Sequence, residues 1–198
     1  MRRCQIKGAL GCRVEGRRGK GRKVTLLELK AKSFAAKWHY GQIRKYTNEP
    51  YIVHPAVVAE LVRSVPHTAE MICAAWMHDT VEDTGATLAE IEDIFGTDIA
   101  GLVEMLTDVS QPKDGNRAAR KRIDFEHTAK ASPAAKTIKL ADLIDNTRSI
   151  VVHDPGFART YLAEKRRLLE VLAEGDATLW VEAKRLVKGG GITCKKLP

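Results

Sequence analysis

Apolar residues in this chain recur every three or four positions rather than alternately, a spacing that predicts helices throughout. Leu26 to Trp38 shows it first, and Gly41 ends the run ahead of the polar stretch Asn48-Glu49-Pro50. Pro55 suits the first turn of a second helix, in which Val57, Val58, Leu61, Val62 and Val65 share a face. A third helix is expected from about Thr68, with Ile72, Ala75, Trp76 and Asp79 on one stripe. Thr87 followed by Glu90 reads as a capping box opening a helix that stops at Gly96, and another helix fits Asp98 to Leu106. The polar residues Ser110 to Asn116 read as a loop, and a basic helix follows from Arg117 to Lys130. Ser132-Pro133 supplies an N-cap and first-turn proline for a helix ending before His153, and two more fit Gly156 to Leu172 and Asp176 to Val187. No segment alternates as a strand does, and no internal repeat is evident, so the expected fold is all-α.

Length and composition fit this picture. A chain of 198 residues, 44% hydrophobic and 29% charged, suits one domain with a real core. Its apolar runs fall far short of a membrane span, which points to a cytoplasmic protein. Cys4, Cys12, Cys73 and Cys194 form no CxxC pair, so free thiols are expected rather than a zinc ribbon or disulfide framework. The net charge of +8 would suggest nucleic-acid binding were it spread over the chain. Residues 1–23, however, hold nine Lys/Arg against the single acid Glu15, and the remaining 24 basic and 24 acidic residues cancel. The expected division is a basic, disordered tail at 1–23, a globular domain at 24–190 and a short C-terminal tail at 191–198. The basic tail is either a by-product of the translation start or an arm for polyanions.

Chemistry enters with the acids placed on apolar faces. Asp79 on a core-facing stripe is costly unless compensated, and His78 adjoins it. His54 opens the second helix, and Asp142 interrupts the apolar run Ile138 to Ile144. Two imidazoles and two carboxylates form a mixed N/O set suited to Mn²⁺, Fe²⁺ or Zn²⁺. Any one of these residues alone is explained by ordinary hydrogen bonding. The neighbourhood adds weight: Glu82 and Asp83, at i+3 and i+4 from Asp79, lie one turn beyond it if the helix continues, where a general base would take a proton from water. Lys139, Asp142, Asn146 and Ser149 make a polar stripe on their helix, either a solvated face or a wall for a nucleotide, with Leu140, Ala141, Ile144 and Val151 toward the core.

These residues fall in motifs. His39-Tyr-Gly41-Gln42-Ile-Arg44-Lys45, then Glu49-Pro50-Tyr51-Ile52-Val-His54-Pro55, resembles the opening of the hydrolase domain of RelA/SpoT proteins and of single-domain small alarmone hydrolases. His78-Asp79-Thr80-Val81-Glu82-Asp83-Thr84 resembles that family's HD and ED motifs. Phe95-Gly96 matches the next landmark, and Lys139-Leu140-Ala141-Asp142 through Asn146 the last. The resemblance spans about residues 30–187 and implies an HD-type helical bundle. It implies one Mn²⁺ on His54, His78, Asp79 and Asp142, with Glu82 and Asp83 activating water. It further implies Arg44 stacking on a nucleobase, Lys45 near phosphates, and Asn146 and Tyr161 on the nucleotide. The implied reaction removes the 3′-pyrophosphate of (p)ppGpp. The partner is therefore a small nucleotide, and a homo-oligomer is compatible with it.

Two positions depart from the family pattern: Leu143 replaces a basic residue, and Asp145-Asn146 stands where His-Asn is common. Lost positive charge there would weaken phosphate binding, and the basic residues Arg117, Arg120, Lys121 and Arg122 are either candidates to restore it or a solvated charged face. The same chemistry admits an adenine alarmone or the 2′-phosphate of NADPH as substrate. A non-catalytic module using its basic tail is the remaining alternative.

Overall fold

The structure is a computed structural model that describes residues 24–189. The expectations for the tails, and for Cys4, Cys12 and Cys194, lie outside the described residues. Among the described residues ten α-helices follow one another: α1 (Leu26–Trp38), α2 (Val53–Arg63), α3 (Ala69–Met77), α4 (Thr80–Asp83), α5 (Leu88–Phe95), α6 (Thr97–Leu106), α7 (Arg117–Ala129), α8 (Pro133–His153), α9 (Pro155–Val171) and α10 (Ala177–Gly189). The same residues contain no strand, only an isolated bridge between Ile43 and Pro50 that pinches the loop before α2.

Local chemistry sets the boundaries. Thr25, Thr68, Asn116 and Ser132 each cap a helix by accepting a backbone N–H, and Thr87 with Glu90 forms the expected capping box. Gly96, at φ +90°, takes the chain from α5 into α6 through a conformation that side chains disfavour. A 3-10 turn at Pro112–Asp114 tightens the segment expected to be a plain loop.

Two helices organise the core. Every residue of α3 from Met71 to Met77 is buried, because α1, α2, α6 and α8 pack around it. The 21-residue α8 is covered by α2, α6, α9 and α10, and Ile138, Leu140, Ala141, Leu143 and Ile144 are all buried. Burying each large apolar side chain contributes about 1.5–3 kcal/mol, which allows the fold to carry a few polar side chains at the C-terminal end of α3 and in the middle of α8. Gly175 is required where α9 turns into α10, since a Cβ there would lie 2.9 Å from Leu140 Cδ1 and 3.0 Å from the Thr137 nitrogen. Cys73 is a buried free thiol. Among the described residues, no helix is long and apolar enough to cross a membrane.

One expectation is corrected. The third helix does not run on through Glu82 and Asp83: α3 ends at Met77, and α4 starts anew after Asp79. The Thr80 hydroxyl donates to the Met77 carbonyl at 2.7 Å, competing with the helical ladder at the break. The Asp83 N–H still bonds the Asp79 carbonyl at 2.9 Å, so the i, i+4 relation survives.

Candidate metal centre and active site

The break between α3 and α4 faces the start of α2 and the middle of α8, and four candidate ligands meet there. His54 Nε2 lies 3.2 Å from His78 Nε2. Asp79 Oδ2 is 3.4 Å from His54 Nε2 and 3.1 Å from His78 Nε2. Asp142 Oδ1 is 3.3 and 3.9 Å from the same two nitrogens. Both imidazoles are fully buried and Asp142 nearly so.

The outer contacts fix the tautomers. His78 Nδ1 lies 2.9 Å from the Ala75 carbonyl, which can only accept, so Nδ1 carries the proton. His54 Nδ1 lies 2.7 Å from Asp145 Oδ2 and donates to that carboxylate. In neutral rings, both Nε2 atoms therefore turn lone pairs toward each other and toward two carboxylate oxygens. Such a convergence is repulsive without positive charge at its centre. The same demand appears in the titration of His54: burial opposes the charged ring, yet Asp142, Asp145 and Asp79 outweigh it and push the group up to about 11. Against the cost of burial, His78 and His54 hold Asp79 well below the usual carboxylate range, and His54, Lys139 and His78 do the same for Asp142. His54, His78 and Asp142 offer ligand atoms that all lie within 4.8 Å of one another, a donor set that fits a divalent cation, and Asp79 Oδ2 stands beside both imidazoles.

The two acids of the ED pair have different partners. Tyr51 Oη is 2.6 Å from Asp79 Oδ2 and 3.0 Å from Asp83 Oδ2, so one phenolic proton serves both carboxylates. Burial, with Asp79 and Asp83 beside it, keeps that phenol protonated far above its ordinary value. Asp83 is raised by burial and by the charge on Asp79. Glu82 accepts the Asp108 N–H at 3.2 Å. Burial and the Asp108 carboxylate raise it to about 7, with Lys139 opposing. A carboxylate poised near neutrality suits proton transfer.

The other candidates divide. Asn146 donates to Asp142 at 2.5 Å, and Lys139 Nζ, 3.9 Å from Asp142 Oδ2, donates to the Leu106 carbonyl at 3.1 Å. Arg44 reaches the cluster indirectly, donating to Asp145 Oδ2 at 2.7 Å. Lys45 is not drawn in: its exposed ammonium contacts Tyr46 at 3.2 Å and stands 3.8 Å from Asp154. Tyr161 is buried, its hydroxyl accepting from Thr147 at 3.5 Å. Leu143, where the family pattern has a basic residue, points into the core at 2% exposure. Tyr51, Asp108 and Asp145 were not expected in the site. Tyr51 and Asp145 lie inside the motifs, but their partners are distant in sequence.

Residues 31–174 match a family model described as HD domain. The chain belongs to the HD-domain family. This HD-domain chain is 38% identical over 167 residues to the Drosophila melanogaster guanosine-3′,5′-bis(diphosphate) 3′-pyrophosphohydrolase MESH1, covering 80% of this chain and 92% of that protein. The human protein of the same name is 41% identical over 125 residues, 62% of this chain and 68% of its own length. A solved structure of a metazoan orthologue of SpoT, described as hydrolysing ppGpp, superposes with a TM-score of 0.77 at 31% identity, covering 86% of this HD-domain chain and 98% of that one.

Proposed function

We propose that this protein is a metal-dependent guanosine-3′,5′-bis(diphosphate) 3′-pyrophosphohydrolase, removing pyrophosphate from ppGpp. The observation that carries the reading is the convergence of the His54 and His78 Nε2 lone pairs with Asp79 and Asp142 oxygens, flanked by a carboxylate poised near pH 7. Its likeness to MESH1 proteins over most of the domain names the substrate.

In this reading His54, His78, Asp79 and Asp142 hold one divalent ion, Mn²⁺ by the family resemblance. When bound, it supplies positive charge to the phosphoryl oxygens and acidifies water. Glu82 and Asp83 take the proton of the attacking water, Tyr51 orienting Asp83 through its hydroxyl. The water oxygen bonds to the proximal phosphorus as the bond from phosphorus to the 3′-oxygen breaks, and the proton that Glu82 and Asp83 took from the water passes to that oxygen, which leaves as the nucleotide 3′-hydroxyl. Arg44 offers a flat guanidinium to the nucleobase, and Asn146 and Tyr161 line the approach. Lys45, on the solvent side, guides the substrate's phosphates inward rather than contacting the reacting group.

The test is incubation of the purified protein with ppGpp, with and without Mn²⁺, and separation of the products by anion exchange. GDP and pyrophosphate appearing only with the metal support the reading. An unchanged ppGpp peak with turnover of ppApp or NADPH instead moves the same chemistry to that substrate.

A further inference from the structure

Beside the metal centre a cavity of about 520 Å³ opens between α7, α8 and α9, with Lys121, Lys139 and Lys165 in its wall. A neighbouring cavity of about 390 Å³ shares Asp108, Lys121 and Asp124 with it and reaches Glu82. Lys139 belongs to both the large cavity and the metal cluster, so the cavity begins one side chain away from Asp142.

The charges around it do not balance locally. Asp108 is taken by Lys121 at 2.7 Å. Asp124 accepts from Lys121 at 3.3 Å and from the Ser110 N–H and hydroxyl, both at 3.0 Å. Glu164 makes a two-pronged pair with Arg117 at 2.9 and 2.8 Å. With these acids engaged, no carboxylate is paired with Lys165 among the described residues; its ammonium rests 5.2 Å from the Tyr161 ring centroid. A ring face compensates a cation less than a counter-ion does. Burial, then the Lys139 ammonium, hold Lys165 below the ordinary lysine value, with Lys121 adding to them and the Asp142 and Asp108 carboxylates opposing. A partly buried ammonium kept in that condition lowers the stability of the ligand-free protein, and an anion would relieve it.

We infer that Lys165, with Lys139 between it and the metal cluster, forms a subsite for the distal phosphate of a diphosphate group whose proximal phosphorus lies at that cluster. This rests on the hydrolase reading. The attacked bond joins the proximal phosphorus to the 3′-oxygen, so both phosphates depart together as pyrophosphate, and the subsite holds the half that is not attacked. It thereby selects a diphosphate over a single phosphate, supplying charge on a helix other than the one carrying Leu143.

The experiment titrates inorganic pyrophosphate, orthophosphate and GDP calorimetrically into wild-type, Lys165→Met and Lys165→Arg proteins. Each is loaded with one equivalent of Mn²⁺, and ppGpp turnover is measured alongside. Lys165→Met is expected to weaken pyrophosphate by about tenfold or more, the scale of one charge-assisted contact, while orthophosphate and GDP change by less than about threefold. Lys165→Arg should recover most of the affinity. Ligand-free Lys165→Met should melt at or above the wild-type temperature, and its melting should rise less with pyrophosphate than that of the wild type. Unchanged pyrophosphate affinity, or equal losses for all three ligands, overturns the subsite. Should Lys165→Met fail to fold, a Lys165→Arg protein losing pyrophosphate and GDP alike overturns it equally. Wild-type turnover of ppGpp with pyrophosphate binding indifferent to Lys165 sinks the subsite alone. Absent turnover with a selective pyrophosphate loss sinks the ppGpp reading and leaves a diphosphate site for another substrate.

Discussion

The two ends of the active cleft handle charge in opposite ways. At the metal centre each candidate ligand has a second partner: His54 has Asp145, His78 the Ala75 carbonyl, Asp79 the Tyr51 hydroxyl and Asp142 the Asn146 amide. In the lysine-lined cavity the acids are paired with Lys121 and Arg117, and Lys165 is left without one among the described residues. A resident cation rewards ligands fixed in advance, since every rotamer already ordered is entropy not lost on binding. A subsite whose occupant leaves in each cycle gains from the reverse, because a counter-ion built into the protein would compete with the substrate. The contrast is thus between permanent and transient partners.

The hardest blow to the fixed end is Asp79→Ala. It removes one oxygen ligand and frees Tyr51 from half of its bond, so metal content should fall to background and ppGpp turnover by about a thousandfold or more. Metal analysis after gel filtration, beside the activity assay, checks both. Full activity with no bound metal would erase the comparison at its root.

Replacing Glu82 by Gln and Asp83 by Asn together separates catalysis from metal holding. Turnover should drop by roughly 10²–10⁴, the usual worth of a general base, while Mn²⁺ content stays at one per chain. Loss of the metal in this variant would make the pair structural and extend the fixed end to include them.

Asp145→Asn addresses the outer contacts directly. An amide still reaches His54 Nδ1 but no longer as a charged acceptor, and it releases Arg44. Mn²⁺ affinity should fall by about 10–100-fold, measured by competition with a chelator, with a smaller loss of stability. An unchanged affinity would mean that the His54 tautomer is held by the fold rather than by this carboxylate.

How much of this is legible in the sequence depends on the range over which each signal acts. Capping at Thr68, Thr87 and Ser132 and the apolar face of α8 are local, and they stand where the sequence puts them. The four candidate ligands stand out in the sequence because acids on apolar faces are costly and because the motifs around them are recognisable. The break at His78–Asp79 is missed because it depends on the Thr80 hydroxyl bonding back to Met77, a competition that periodicity does not register. Tyr51, Asp108 and Lys165 escape for another reason. Their meaning lies in partners that only folding brings near: Asp79 for Tyr51, Glu82 for Asp108, and the paired acids around Lys165.

Asp108 offers the smallest and most discriminating effect, because it stands between the two ends. Its backbone N–H bonds Glu82, its carboxylate pairs with Lys121, and after burial its charge is the main reason why Glu82 is raised to about 7. Glu82 must be ionised to accept a proton, so kcat/KM should rise with pH through a limb at or below about 7, since bound metal can only add positive charge nearby. Asp108→Asn keeps the backbone bond and removes the negative neighbour, which makes ionisation easier and moves the limb to lower pH. Lys139→Met removes the opposing positive charge and moves it up. A pH–rate profile of each variant reads the sign, whatever the change in maximal rate. Limbs that stay in place in both variants would assign the ionisation to another group. Opposite displacements would show that the lysine-lined cavity, through Asp108 and Lys139, sets the proton affinity of the base at the metal end.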